Sequence, residues 1–429
     1  MKAPRIRYLL STALTLTAIT LTLSLSASAQ TETLLHSFAG GPGGYQPEGS
    51  LLFDPVGNLY GVTFGGGDLG SRLCGQSQGC GIVYELSPTS SGAWKETVLH
   101  AFTWLDGAYP EAGLIRDAAG NLYGTAADGG YLCYCGIVYE LSPISTGGWK
   151  YTVLHSFAEG PNGFIPETPL VFDAAGNLYG TTTFGGSPTT ACSTEGCGVV
   201  FRLSPMSDGE WREKVLYTFS ATDGAYPNSG VTFDAAGNLY GETYSGLGSN
   251  ARGTVFKLSP TPSGPWTETI LHGFSGNDVS YPGGGLVFDK ADNLYGTTQG
   301  AITADSCSPS CGSVFELSPN SNVAWTETIL HAFSGGLDGF YPYAGLVLDS
   351  SGNLFGAASQ GGIYGSGTIF KLTPISNGNW NFSVTHSFTG GLYGGEFPQA
   401  GLILDSFGNL YGTALGGPGK YGVVYEIKP

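Results

Sequence analysis

Three carboxylates and an amide stand at one repeated position of this 429-residue chain, where Glu48, Glu111, Glu167 and Asn228 each directly follow a proline. The later copies of that position carry Gly283, Tyr343 and Gln399. Oxygen donors of this kind suit a hard cation such as calcium, and a solvated rim is the competing reading. Aromatic residues precede most of the prolines: Tyr109, Tyr226, Tyr281, Tyr341 and Phe397, with Tyr45 and Phe164 close to the other two. A ring of such side chains can stack on sugars or grip a partner's apolar anchors. The competing reading is that they pack between repeats.

Histidine chemistry has little room. His36, His100, His155, His272, His331 and His386 all fill one slot of a recurring segment, and Tyr217 fills it in the remaining copy. A slot occupied in nearly every copy is structural before it is catalytic. No histidine is left outside it, which argues against a serine or cysteine nucleophile activated by histidine. The tryptophans that open the same segment (Trp94, Trp149, Trp211, Trp266, Trp325, Trp380) yield to the same reasoning.

The eight cysteines form four local pairs, Cys74/Cys80, Cys133/Cys135, Cys192/Cys197 and Cys307/Cys311. In an exported chain such pairs are expected as disulfides. Closing so short a loop removes little chain entropy, so each bond should rigidify its loop more than it stabilises the fold. Zinc is the sharper alternative, but the pairs lie in different repeats and have no histidine nearby.

These residues are positioned by a repeat. Gly-Asn-Leu-Tyr-Gly begins at Gly57, Gly120, Gly176, Gly237 and Gly408, with close variants from Asp292 and Gly352, the copies lying roughly 58 residues apart. An aspartate precedes each anchor asparagine by four positions (Asp54, Asp117, Asp173, Asp234, Asp289, Asp349, Asp405), and a proline precedes each aspartate by seven. Every unit contains four segments rich in β-branched and aromatic residues, bounded by Gly, Pro, Asn and Ser. Labelled A to D in chain order, they are typified by Gly285–Asp289, Asn293–Thr298, Gly253–Leu258 and Trp266–Phe274. The Asp-Ala-Ala-Gly-Asn link fits a tight hairpin between A and B. Four antiparallel strands per repeat make a propeller blade.

The chain ends predict closure. Thr31–Phe38 reads as a D strand with no C before it, and Gly422–Ile427 as a C strand with no D after it. The N-terminal strand should therefore complete the last blade, hiding two strand edges. The expectation is an all-β, seven-bladed β-propeller over residues 30–429. Chain direction places the B-to-C and D-to-A loops on one face, with the cysteine pairs and Tyr-Pro segments, which is the candidate binding face.

The motifs Leu-His-Ser-Phe, Asp-Gly-x-Tyr-Pro, Gly-Leu-Val-Phe-Asp-x-x-Gly-Asn-Leu-Tyr-Gly-Thr-Thr and Gly-Thr-Val-Phe-Lys-Leu resemble the GloVer tandem-repeat family of secreted bacterial proteins. The likeness covers essentially the whole chain after residue 29, and it implies no activity, cofactor or catalytic residue. A cell-surface anchor often follows the repeats in that family, whereas here Pro429 comes directly after the last strand. The A-to-B segment is similar, more distantly, to NHL-type and lactonase-type blades, and lactonase-like propellers hold a metal at the channel.

Composition narrows the partners. With 16 basic against 33 acidic residues the formal charge is −17, leaving no basic stripe for nucleic acid or an anionic membrane. Lys2, Arg5 and Arg7, an apolar run from about Tyr8 to Leu25, and Ala27-Ser28-Ala29 read as a signal peptide over residues 1–29. No later run is long enough to span a bilayer. The expectation is a secreted monomer, extracellular or periplasmic, that acts as a non-enzymatic binding module and turns its loop face to a carbohydrate, a cell-envelope component or a protein. The alternative is a metal-dependent hydrolase or lyase, with Glu48, Glu111, Glu167 and Asn228 holding the ion at the channel mouth.

Overall fold

The computed structural model describes residues 31–428, except 71–72, 76–77, 188–191, 193–194, 248–251, 262–264, 276–280, 301–310 and 321–323. The segment read as a signal peptide and Cys307 lie outside the described residues. The chain folds into seven four-stranded antiparallel sheets, each one repeat. In the first blade the strands are Leu52–Phe53, Leu59–Thr63, Ile82–Pro88 and Trp94–Ala101. The last blade closes as expected: Thr31–Ser37 pairs antiparallel with Val423–Lys428 and completes the sheet of Ile403–Leu404 and Leu410–Ala414.

Strand A is shorter than the sequence suggests, with two paired residues per blade. The aspartate that follows it has left the ladder and organises the turn instead. Asp54 Oδ1 accepts the amides of Val56 and Asn58, while its Oδ2 accepts the Asn58 amide group at 2.8 Å and the Tyr60 hydroxyl at 3.2 Å. The same set recurs around Asp173, Asp234, Asp289 and Asp405. Burial pushes these carboxyls up, but the donors outweigh it and hold all five below their ordinary range. The two anchor glycines are each required. Gly57 takes φ +93° in the turn. Gly61 lies opposite Tyr84 in the ladder, and a Cβ there would come within 2.4 Å of the Tyr84 hydroxyl oxygen.

Strand B is buried along its whole length in each blade, so the core lies between sheets. Its tyrosine reaches the next blade and meets that blade's tryptophan edge-on: Tyr60 with Trp149, Tyr123 with Trp211, Tyr179 with Trp266, Tyr240 with Trp325 and Tyr295 with Trp380. The tryptophans are thus inter-blade packing, as the repetition implied.

The histidine slot is a second inter-blade device. A β-bulge precedes it in every outer strand and re-aims the following side chain. His36 reaches Glu96, His155 reaches Glu213, His272 reaches Glu327 and His386 reaches Glu32, at 3.0–3.5 Å, each one blade ahead. Where the next blade offers an aromatic residue instead, the imidazole stacks on it. His100 lies on Tyr151 at 3.7 Å and His331 on Phe382 at 3.5 Å, and each turns to an aspartate of its own loop, Asp106 or Asp338. Tyr217 makes the same turn toward Asp223. Burial pulls His155 down and pushes Glu213 up, so each charged form of that pair is disfavoured.

Among the described residues no helix is long and apolar enough to cross a membrane.

Candidate functional site

Each D-to-A loop ends on the residue before the repeated proline, and all seven hold left-handed backbone with non-glycine side chains. The φ angles are +54° at Gln46, +56° at Tyr109, +61° at Ile165, +57° at Tyr226, +63° at Tyr281, +56° at Tyr341 and +60° at Phe397. Such conformations cost on the order of 1–3 kcal/mol and persist only where the surroundings impose them. Here the backbone is fixed from both sides. The amide donates to a carbonyl of the preceding blade, Tyr109 to Cys80 and Tyr226 to Cys197 at 2.8 Å, Tyr341 to Cys311 at 3.0 Å. The carbonyl accepts from the end of the blade's own strand B, as Ala127 donates to Tyr109 and Tyr244 to Tyr226. The loop face is thereby tied, blade to blade, to the segment that carries the cysteine pairs.

Three of these aromatics rest on the neighbouring blade. Tyr109 stacks on Phe64 at 4.5 Å, Tyr281 stacks on Tyr244 at 4.7 Å, and Tyr226 meets Phe184 edge-on at 5.5 Å. Tyr341 contacts Phe340 and Tyr343, and Phe397 is exposed. All but Phe397 are half-buried, so each ring presents an edge or one face rather than its full surface.

The residue after each proline is the one that the sequence assigns to the channel mouth. Burial pushes Glu48 up to about 7. Glu111 rises to about 8 through burial first and then the nearby charges of Glu167, Glu48 and Asp128. Glu167 is raised by burial against the lowering effect of the Thr183 hydroxyl, which donates to it. Asn228 buries its Oδ1 without a hydrogen-bond partner. Glu111 in the second blade thus feels the charges of Glu48 and Glu167 in the blades on either side. Among the described residues, however, no three His, Cys, Asp or Glu side chains stand close enough to hold a metal ion. Blades four to six bring tyrosines within reach of one another: burial raises the Tyr244 and Tyr343 hydroxyls, Tyr244 being further raised by Tyr281 and Tyr343, and Tyr343 by Tyr341.

Sequence reasoning missed Asp128, Tyr244 and Thr183, which meet these residues from just beyond strand B. They hold related places just beyond the Leu-Tyr-Gly anchor, but those places vary in type from blade to blade, and variation was the available signal. It also missed Glu242, fully buried where other blades carry Thr125, Thr181 or Thr297. Its Oε2 accepts the Gly285 amide at 2.9 Å, and burial pushes it up to about 8.

The disulfides Cys74–Cys80, Cys133–Cys135 and Cys192–Cys197 are formed, each with Cα atoms 5.2 Å apart, and Cys311 is also disulfide-bonded. All belong to B-to-C loops on the face of the channel mouth.

Among curated proteins none matches the chain. Solved structures with a similar fold include a candidate oxidoreductase (glucose dehydrogenase) of Thermus thermophilus, 15% identical over 93% of this chain and 100% of that one, with a TM-score of 0.41. A protein from Lactobacillus plantarum is also 15% identical, over 81% of this chain and 95% of its own, with a TM-score of 0.47. Neither likeness bears on what the chain binds. The family model of the Gloeobacter/Verrucomicrobia repeat matches residues 20–187, 69–305 and 300–429, reaching every blade described above, and the chain belongs to that repeat family.

Proposed function

We propose that the protein is an exported binding module that takes a carbohydrate of a cell envelope or matrix at the channel mouth of its loop face. One observation carries the reading: the mouth is where the blades stop repeating. Carboxyls from Glu48, Glu111 and Glu167 line one arc, and rings from Tyr244, Tyr281, Tyr341 and Tyr343 gather on the other. The Glu48 and Glu111 carboxyls, raised to about 7 and about 8, both donate to and accept from sugar hydroxyls, while tyrosine faces and edges cover the apolar side of a sugar ring. The disulfides fit an oxidising compartment.

A glycan array tests it. Retention of a defined glycan is expected to weaken at least tenfold in Tyr281→Ala and Tyr341→Ala, and to survive Phe407→Ala on the opposite face. No retained glycan, or retention unchanged by both tyrosine variants, contradicts the reading. A second reading, a calcium-dependent hydrolase or lyase at the same mouth, has the unpartnered Asn228 Oδ1 in its favour and the lack of a three-ligand cluster among the described residues against it. Calorimetry of the chelated protein with calcium separates the two, since that reading requires binding heat that is lost in Glu111→Ala.

A further inference from the structure

The disulfides fall into two kinds. Cys74, Cys80, Cys192 and Cys197 are fully buried, and their pairs close over separations of 6 and 5 residues. Cys133 and Cys135 are separated by 2. That small ring holds Tyr134 at φ +65°, a left-handed position for a bulky residue. Its two ends differ. Cys135 is 3% exposed and packs with Tyr123, Val138 and Phe157, its carbonyl accepting the Ile165 amide at 2.9 Å. Cys133 is only partly covered, and the Glu159 amide points at its Sγ from 3.2 Å. A backbone amide aimed at sulfur stabilises a thiolate there. Around this sulfur the loop exposes Tyr131 at 76%, Leu132 at 66% and Tyr134 at 52%, an apolar collar in which Tyr134 tilts against Trp104 at 5.5 Å.

We propose that Cys133–Cys135 is an exchangeable disulfide that reacts with thiols of extended, apolar polypeptide segments, Cys133 being the sulfur attacked. A substrate thiolate bonds to Cys133 Sγ, the bond between the two Sγ atoms breaks, and Cys135 leaves as a thiolate and takes up a proton. A second substrate thiolate then attacks the mixed disulfide, forming the substrate's disulfide and releasing Cys133, whose thiolate the Glu159 amide receives before protonation. The chain gains two electrons and two protons, and the substrate dithiol gives them up. A small disulfide such as oxidised glutathione restores the pair. Accessible, conformationally strained disulfides are the labile and catalytic ones, and buried ones the structural ones.

The purified chain is equilibrated in buffers of reduced and oxidised glutathione, its free thiols are trapped with iodoacetamide, and the labelled peptides are mapped. Cys133 and Cys135 are expected to open at a ratio at least tenfold less reducing than any that opens Cys74–Cys80 or Cys192–Cys197. Reduced ribonuclease with oxidised glutathione should regain activity at least fivefold faster with the chain present. Cys133→Ser should abolish that gain, and Cys135→Ser should be recovered as a mixed disulfide through Cys133. Opening of the pair together with or after the buried pairs overturns the proposal, as does ribonuclease recovery no faster than background. If either serine variant fails to fold, the mapping and recovery of the unaltered chain decide.

Discussion

At the scale of single residues, the aspartates, tryptophans and histidines that repeat are occupied by turn bonds and inter-blade contacts, and chemistry is left to the residues that vary. Glu111 shows this most directly. Its carboxyl has an ordinary value of 4.5 and is raised to about 8 in the folded chain, so between those values the folded state binds the extra proton. Stability is therefore full below about pH 4.5, declines as pH rises through 8 and stays low above it. Replacing the ionisable group removes this slope. Urea unfolding of Glu111→Gln at pH 5 and pH 9 should show a gain over the unaltered chain at pH 9 that exceeds the difference at pH 5 by about 1–3 kcal/mol. An equal difference at both pH values would mean that the carboxyl is not held protonated in the fold.

Single elements were legible where one blade contains the whole cause. The spacing of Pro47, Asp54 and Asn58 sets a turn that the Asp54 bonds complete, and Thr31–Ser37 announces its missing partner strand. Less was legible where the cause spans two blades. His386 meets Glu32 from the opposite end of the chain, and the bulge that aims it leaves no mark in local composition. The left-handed residue before each proline was likewise hidden, because it is imposed by hydrogen bonds to a preceding blade. For the same reason the sequence could place Glu48, Glu111 and Glu167 on one rim but could not give the spacing between them. Tyr281 tests the imposed geometry. Alanine there keeps a Cβ at φ +63°, whereas glycine does not. Tyr281→Gly should be more stable than Tyr281→Ala by about 1 kcal/mol in denaturant titration, and an alanine variant as stable as the glycine one would show that the strain is absent.

The whole molecule is a closed ring in which seven near-identical sheets hold two unlike faces. Pre-proline residues, disulfides and the channel mouth share one face, and the Asp-centred turns occupy the other. The ring supplies rigidity through repetition, and the loop face supplies difference through the few positions that escape it. Hydrogen–deuterium exchange, with and without the glycan an array selects, is the most direct test of where the ligand sits. Protection is expected at residues 45–48, 108–111, 225–228 and 340–343, which surround the mouth. Protection confined to the turns around Val56, Ala119 and Phe407 on the opposite face would contradict the account.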